Sequence, residues 1–484
     1  MTVQDQANAA EPALPGRWRC PPGGAAEGRR GGTHFGWWQI IRLGLVQACL
    51  GAVVVTTTST LNRVMVVELA LPALLPGALV ALHYAVQMLR PRLGHGSDGG
   101  RRRTPWIVGG MAVLAAGGWL AALAPVWMGS SPVAGIVLAV AAFMLIGLGV
   151  GAAGTSLLVL LAKRVAAPRR AAAATTVWLM MIVGFAVTAG ISGKLLDPYS
   201  PGRLLAVSGG VCALALTLAL LALWRLETGE APAEDAPAAA KPAFRVALAE
   251  VWADREARRF TVFVFVSMLA YSAQDLILEP FAGMVHGQTP GQSTQLSGVQ
   301  HGGVLLGMLM AAFAGRRLAG HATGSLRAWT VGGCIASAMA MAGLVAAGLI
   351  GPAWPLRGTV FVLGVANGAF SIAAIGSMMA LASQGTPQRE GVRMGLWGAA
   401  QAVAFGIGGL VGAVASDIAR RLIASPGAAY AAVFAIEGLL FLVAAALAWK
   451  VAVPASRPAD QPALRAGSAM RGPPRTPSHD LETA

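Results

Sequence analysis

The stretch TTTSTLNRVMVVELALP, residues 56–72, closes a long apolar run with an arginine and a glutamate five residues apart, Arg63 and Glu68. The run before it, near 38–59, is long enough to cross a membrane, since a helix that satisfies its own backbone spans the hydrocarbon core with about 20 apolar residues. Composition extends that reading to the whole chain. Of 484 residues, 56% are hydrophobic and 12% charged, and the mean hydropathy is +0.63, far from the balance of a water-soluble domain. Further apolar runs fall near 73–91, 106–127, 133–161, 171–193, 204–224, 260–282, 296–315, 327–350, 356–382, 391–415 and 428–449. The expectation is an all-α polytopic membrane protein of twelve spans.

The net charge of +15 would suggest nucleic acid in a soluble protein, but its placement gives another cause. Counting loops from a cytoplasmic N-terminus, the even ones carry most of the arginines and lysines, including Arg101, Arg102 and Arg103, then Lys163, Arg164, Arg169 and Arg170, and later Arg255, Arg258 and Arg259. The odd loops hold only Arg63, Lys194, Arg203, Arg357, Arg420 and Arg421. Positive loops on alternate sides put both termini in the cytoplasm and leave no case for nucleic acid. Residues 1–36 and 451–484, rich in Gly, Pro and Arg, read as disordered cytoplasmic tails. Four widely separated cysteines, Cys20, Cys49, Cys212 and Cys334, imply neither a metal site nor a disulfide framework.

Residues 226–259, Pro/Ala-rich and polar, separate a six-helix bundle at 37–225 from a second at 260–450. The fifth and eleventh spans read as copies. Pro168 and Arg170 precede Trp178 by the same steps as Pro387 and Arg389 precede Trp397, and Gly190 and Gly193 follow Trp178 as Gly409 and Gly412 follow Trp397. A parallel repeat of six-span halves is the construction of the major facilitator fold. The same repeat pairs the opening stretch with SAQDLILEPFAG, residues 272–283: Asn62 with Gln274, Arg63 with Asp275, Glu68 with Glu279. An ionisable group at the membrane centre costs about 2.5–3.5 kcal/mol on insertion scales. An ion pair between Arg63 and Asp275 across the halves would relieve that cost; solvated charges at helix ends are the plainer alternative.

The loop GHGSDGGRRR, residues 94–103, resembles the facilitator signature after the second span, with Gly94, Asp98 and the cluster Arg101, Arg102 and Arg103, although one residue is missing and Gly99 replaces a basic residue. It reads either as a cytoplasmic gating loop or as a positive-inside loop. TLNRVMVVELALPALLPGALVAL (60–82), SAQDLILEPFAG and GLWGAAQAVAFGIGG (395–409) together resemble the PucC/LhaA family, also called Bch2, a facilitator branch of phototrophic bacteria, from about residue 40 to 450. The resemblance implies an assembly factor for light-harvesting antenna complexes in the inner, intracytoplasmic photosynthetic membrane. Its implied partners are antenna polypeptides, membrane lipid, and bacteriochlorophyll or the enzymes that make it.

His83 and His301 occupy corresponding spans, and neutral imidazole ligates the magnesium of bacteriochlorophyll in apolar surroundings. Each reads either as a pigment ligand or as a hydrogen-bonding partner between helices. Trp178, Trp397 and Gln401 read as lining a cavity or partner face, or as core packing. Phosphate-binding loops, paired-histidine metal motifs and nucleophile elbows are absent from the sequence, so no enzyme is expected. The alternative to an assembly factor is an ion-coupled secondary transporter of a small solute or tetrapyrrole. The scarcity of acids in span centres, with charges gathered at span ends, favours the assembly factor.

Overall fold

A computed structural model describes residues 34–89, 102–166, 169–227, 252–317, 326–382 and 390–451. The helices are α1 (Trp37–Glu68), α2 (Leu74–Gln87), α3 (Thr104–Met128), α4 (Pro132–Arg164), α5 (Arg170–Leu196) and α6 (Pro201–Leu223), then α7 (Arg255–His286), α8 (Pro290–Arg317), α9 (Leu326–Ile350), α10 (Leu356–Ala382), α11 (Glu390–Leu422) and α12 (Pro426–Trp449). Eleven are long and apolar enough to cross a membrane, and α2 is a shorter apolar helix in the second span's place. Their outward faces carry large apolar side chains such as Trp119, Leu221, Met339 and Leu439, which water would not tolerate in such number and lipid does.

Each half has its own core, one built from the N-terminal half with Leu276 of α7 joining it, the other from α7–α12. Packing repeats with a step of six helices: α3 on α4 and α9 on α10, α1 on α5 and α7 on α11, α2 on α4 and α8 on α10. Between the halves, α2 lies against α11 and α5 against α8. The repeat expected from sequence is therefore a repeat of contacts. The tails and most of the linker, with Gly94, Asp98 and Arg101, lie outside the described residues.

Lipid supplies no hydrophobic drive between helices, so close backbone approach must. The tightest case joins α8 to α10. A methyl group at Gly307 would stand 2.0 Å from the carbonyl oxygen of Val365, and one at Gly368 2.0 Å from that of Val304. With Gly303 and Gly364 they form two facing Gly-x-x-x-Gly steps.

At the end of the bundle opposite the termini, here the distal end, two carboxylates tie the halves together. Asp417 at the end of α11 accepts from the backbone N–H groups of Ala73 (3.0 Å) and Leu74 (2.8 Å), the start of α2 in the other half. Arg420 pairs with the same carboxylate. Asp197, following α5, accepts from the Thr289 hydroxyl (2.7 Å) at the start of α8. Thr289 and Gln292 cap that start reciprocally, side chain to backbone, at 3.1 and 3.0 Å. Acids from α5 and α11 thus sit on the positive ends of α8 and α2, a repeated latch.

Two outcomes follow from this packing. Gly368→Leu forces α8 and α10 apart, so thermal unfolding in detergent should show a loss of about 1–3 kcal/mol, whereas substitution at Gly358, which has open space beside it, should be near neutral. Asp417→Ala removes a cap worth about 1 kcal/mol, so electron-resonance distances between spin labels at the exposed positions 133 and 422, on opposite halves, should show the distally open population rise about five-fold. An unchanged distance distribution would mean that the latch does not hold the halves.

Candidate functional site

Four threonines and a serine in a row, Thr56 to Thr60, decide the shape of α1. The hydroxyls of Thr56, Thr57 and Thr58 bond back to the carbonyls of Ala52 (2.9 Å), Val53 and Val54 (3.2 and 2.8 Å), and Val54 (3.0 Å). They compete with the amides that would close normal turns, and the helix widens to π geometry over Thr56–Thr60 and again over Val64–Glu68. Wide turns bond i to i+5. Arg63 and Glu68, five apart, consequently meet in an ion pair of 2.7 Å that a regular α-helix would not align. The helix runs unbroken past the expected span end to Glu68.

The widened segment carries its polar side chains into the other half. Ser59 donates to the Glu279 carboxylate of α7. Thr60 and Thr294 share a hydroxyl contact of 3.1 Å, and Asn62 donates to the Leu276 carbonyl at 2.6 Å. Arg63, only 3% exposed, donates to the Gln288 carbonyl at 2.7 Å. Its guanidinium lies against Gly283, where a methyl would come within 2.9 Å of it. Asn62, Arg63, Glu68 and Glu279 therefore gather as expected near the distal end.

Asp275 does not join Arg63. It faces α8 instead, accepting from Gln300 at 3.1 Å. The anticipated Arg63–Asp275 pair is replaced by Arg63–Glu68, because the π turns direct the guanidinium towards the loop after α7. Gln274 is fully buried next to Asp275. The acid that sequence reading passed over is Glu437, midway along α12, 3% exposed and with both carboxylate oxygens unpartnered. Its presence is an exception to the expected scarcity of acids in span centres. A single glutamate in the middle of an apolar run was the signal available. Between the halves, Tyr84 of α2 meets Phe405 of α11 at 5.7 Å between ring centres, and Phe405 meets Tyr271 of α7 at 5.8 Å.

The remaining expected positions separate. Trp397 is 1% exposed, edge-on to Phe260 at 4.9 Å, with its ring N–H directed at the Ala257 carbonyl (3.5 Å). It is core, not a cavity or partner face, whereas Trp178 is exposed and Gln401 half-buried. Arg102 is exposed. Arg103 is buried at the start of α3, where Glu227 of the same half accepts from the backbone of Arg103 (2.8 Å) and Thr104 (2.7 Å). His83 is 2% exposed and contacts Gln87 at 2.7 Å. His301 is 9% exposed, with Nδ1 2.9 Å from the Ser297 carbonyl and its ring edge-on to Phe185 of α5 at 4.9 Å. Neither imidazole offers the open face that a tetrapyrrole needs, so the site does not fit pigment ligation at these two residues. Among the described residues, no group of three or more His, Cys, Asp or Glu is placed to hold a metal ion.

Comparison with known proteins agrees with this architecture. The crystal structure of a D-xylose-proton symporter superposes with a TM-score of 0.65 at 16% identity, over 87% of this chain and 98% of that one, which establishes the major facilitator fold. The bacteriochlorophyll synthase 44.5 kDa chain of Rhodobacter capsulatus is 54% identical over 435 residues, 90% of this chain and 99% of that protein. Protein PucC of Rhodobacter capsulatus is 30% identical over 410 residues, 80% and 85% of the respective chains. The family model described as PUCC protein matches residues 60–456. On that match, and on its extent, the chain belongs to the PUCC protein family.

Proposed function

We propose that this protein is an assembly factor for bacterial light-harvesting antenna complexes, working in the intracytoplasmic photosynthetic membrane with both termini in the cytoplasm. The observation that carries the reading is the near end-to-end similarity to a relative named for bacteriochlorophyll synthesis, within a family whose model covers most of the chain. In this reading the protein is not itself a catalyst. It binds newly inserted antenna polypeptides through its lipid-facing surface and handles bacteriochlorophyll there.

Two features support a lateral binding surface. The space between the halves is crossed by the rings of Tyr84, Phe405 and Tyr271 and by Phe185 against His301, large groups where a solute carrier keeps an open polar path. An apolar groove between α3 and α4, lined by Trp106, Val113, Leu145 and Leu148, suits an apolar chain or helix side. The second reading, an ion-coupled transporter of a small solute or tetrapyrrole, is favoured by one observation, the acids Asp275 and Glu437 within the spans.

Purification in mild detergent from pigment-making cells tests both. Antenna polypeptides should co-purify, and any near-infrared bacteriochlorophyll absorption should persist in His83→Ala and His301→Ala, since both imidazoles are enclosed. Absorption lost in a folded His301→Ala variant would restore internal ligation. Neither polypeptide nor pigment in the preparation would overturn the assembly reading in favour of transport.

A further inference from the structure

Glu437 poses a problem that the antenna reading does not use. It sits in the middle of α12, between Phe434, packed on Phe281 of α7 at 5.0 Å, and Phe441, packed on Phe370 of α10 at 5.9 Å. These residues, three and four positions either side, put the carboxyl on the helix face turned to α7. No donor reaches either oxygen. A buried carboxylate without donors or a cation costs several kcal/mol, so such a group is kept neutral or is met by a partner.

Among the described residues, the surrounding elements supply no cation at that level. Tyr271 of α7, one turn before Asp275, meets Phe370 at 6.5 Å between ring centres, and Phe370 meets Phe441, one turn after Glu437, at 5.9 Å, so Asp275 and Glu437 both lie one turn distal to this aromatic stack, where their carboxyl groups interact electrostatically. From α9, Met341 and Ala338 lie against Gly438. Arginines meet α12 only towards its ends: Arg420 of α11 over Tyr430, two turns away, and Arg327 of α9 over Trp449. Gln274, seven residues before Phe281 and so on the same α7 stripe, is fully buried next to Asp275. Two neighbouring acids without a cation in a low-dielectric interior do not both ionise.

We propose that Glu437 and Asp275 form a proton-binding site in the C-terminal half. Glu437 is the buried holder. Asp275, half-buried and positioned by Gln300, is the group through which the proton is exchanged with water. Uptake forms one O–H bond on a carboxylate at the expense of hydronium, and release reverses it. A metal ion is the poorer occupant, because it needs a ring of oxygen ligands and the described residues form no such group. The site requires no particular cargo and stands apart from the antenna reading.

Infrared difference spectroscopy on the full-length protein in lipid vesicles, titrated from mildly acidic to alkaline pH, tests the site. The expected result is a protonated-carboxyl C=O band that declines reversibly as pH rises, is lost in Glu437→Gln and shifts in Asp275→Asn. A Glu437→Gln spectrum identical to that of the unaltered protein would overturn the site. So would a band indifferent to both pH and Asp275→Asn, which marks a sealed structural acid, or one that responds to sodium concentration instead of pH. If Glu437→Gln fails to fold, the titration of the unaltered protein and of Asp275→Asn still decides.

Discussion

A polar group inside a membrane has no water to turn to, and the arrangement of this protein follows from where it finds partners instead. Helices satisfy the backbone, which leaves side chains as the open question. Arg63 answers it with Glu68, the Gln288 carbonyl and a glycine that lets the guanidinium approach. Asp417 and Asp197 answer it with helix N-termini of the opposite half. These solutions reach across the two halves, so the halves are joined at the distal end where the charges are settled in this way.

How α1 achieves this depends on a local weakness. A regular helix would carry Arg63 and Glu68 to different faces. The run of threonines draws its own carbonyls away from the amide ladder where the first π segment begins, and a second π segment, Val64–Glu68, turns the two residues towards each other. An apparent imperfection in secondary structure thus places the one buried guanidinium of the cluster, and Ser59, Asn62 and Arg63 leave α1 pointing into α7 and the loop after it.

Sequence and structure agree wherever a rule acts over many residues. The apolar runs and the repeat of Trp178 and Gly190 in Trp397 and Gly409 were legible because lipid imposes its composition on every span, even on the shorter α2. The clustering of Asn62, Arg63 and Glu279 was legible from the repeat. The partner of Arg63 was not, since the choice between Asp275 and Glu68 rests on the helix widening, and runs of threonine do not announce π geometry by periodicity. Trp397 was ambiguous for another reason: its repeat partner Trp178 is exposed while it is buried, so equivalent positions do not share surroundings. Glu437 was visible as a residue but not as a site, because its enclosure depends on how α12 packs on α7 and α10, which no periodicity in the sequence announces.

That inequality between copies is informative in itself. The repeat fixes what both halves need, namely helix pairing, close-packed glycines and acid latches on α2 and α8. Function has to reside where the halves differ, since a symmetric pair of sites would make no distinction between the two. The N-terminal half contributes the cation, Arg63, at the distal end. Among the described residues, the buried acids Glu279 and Glu437 and the half-buried Asp275 belong to spans of the C-terminal half, and α6, the counterpart of α12, carries no acid along its length. Of these acids Glu279 already shares the cluster of Ser59 and Arg63, which leaves Asp275 and Glu437 without a structural duty in joining the halves. A group that the scaffold does not need, kept at a place where burial is costly, is the part of the chain left over for chemistry.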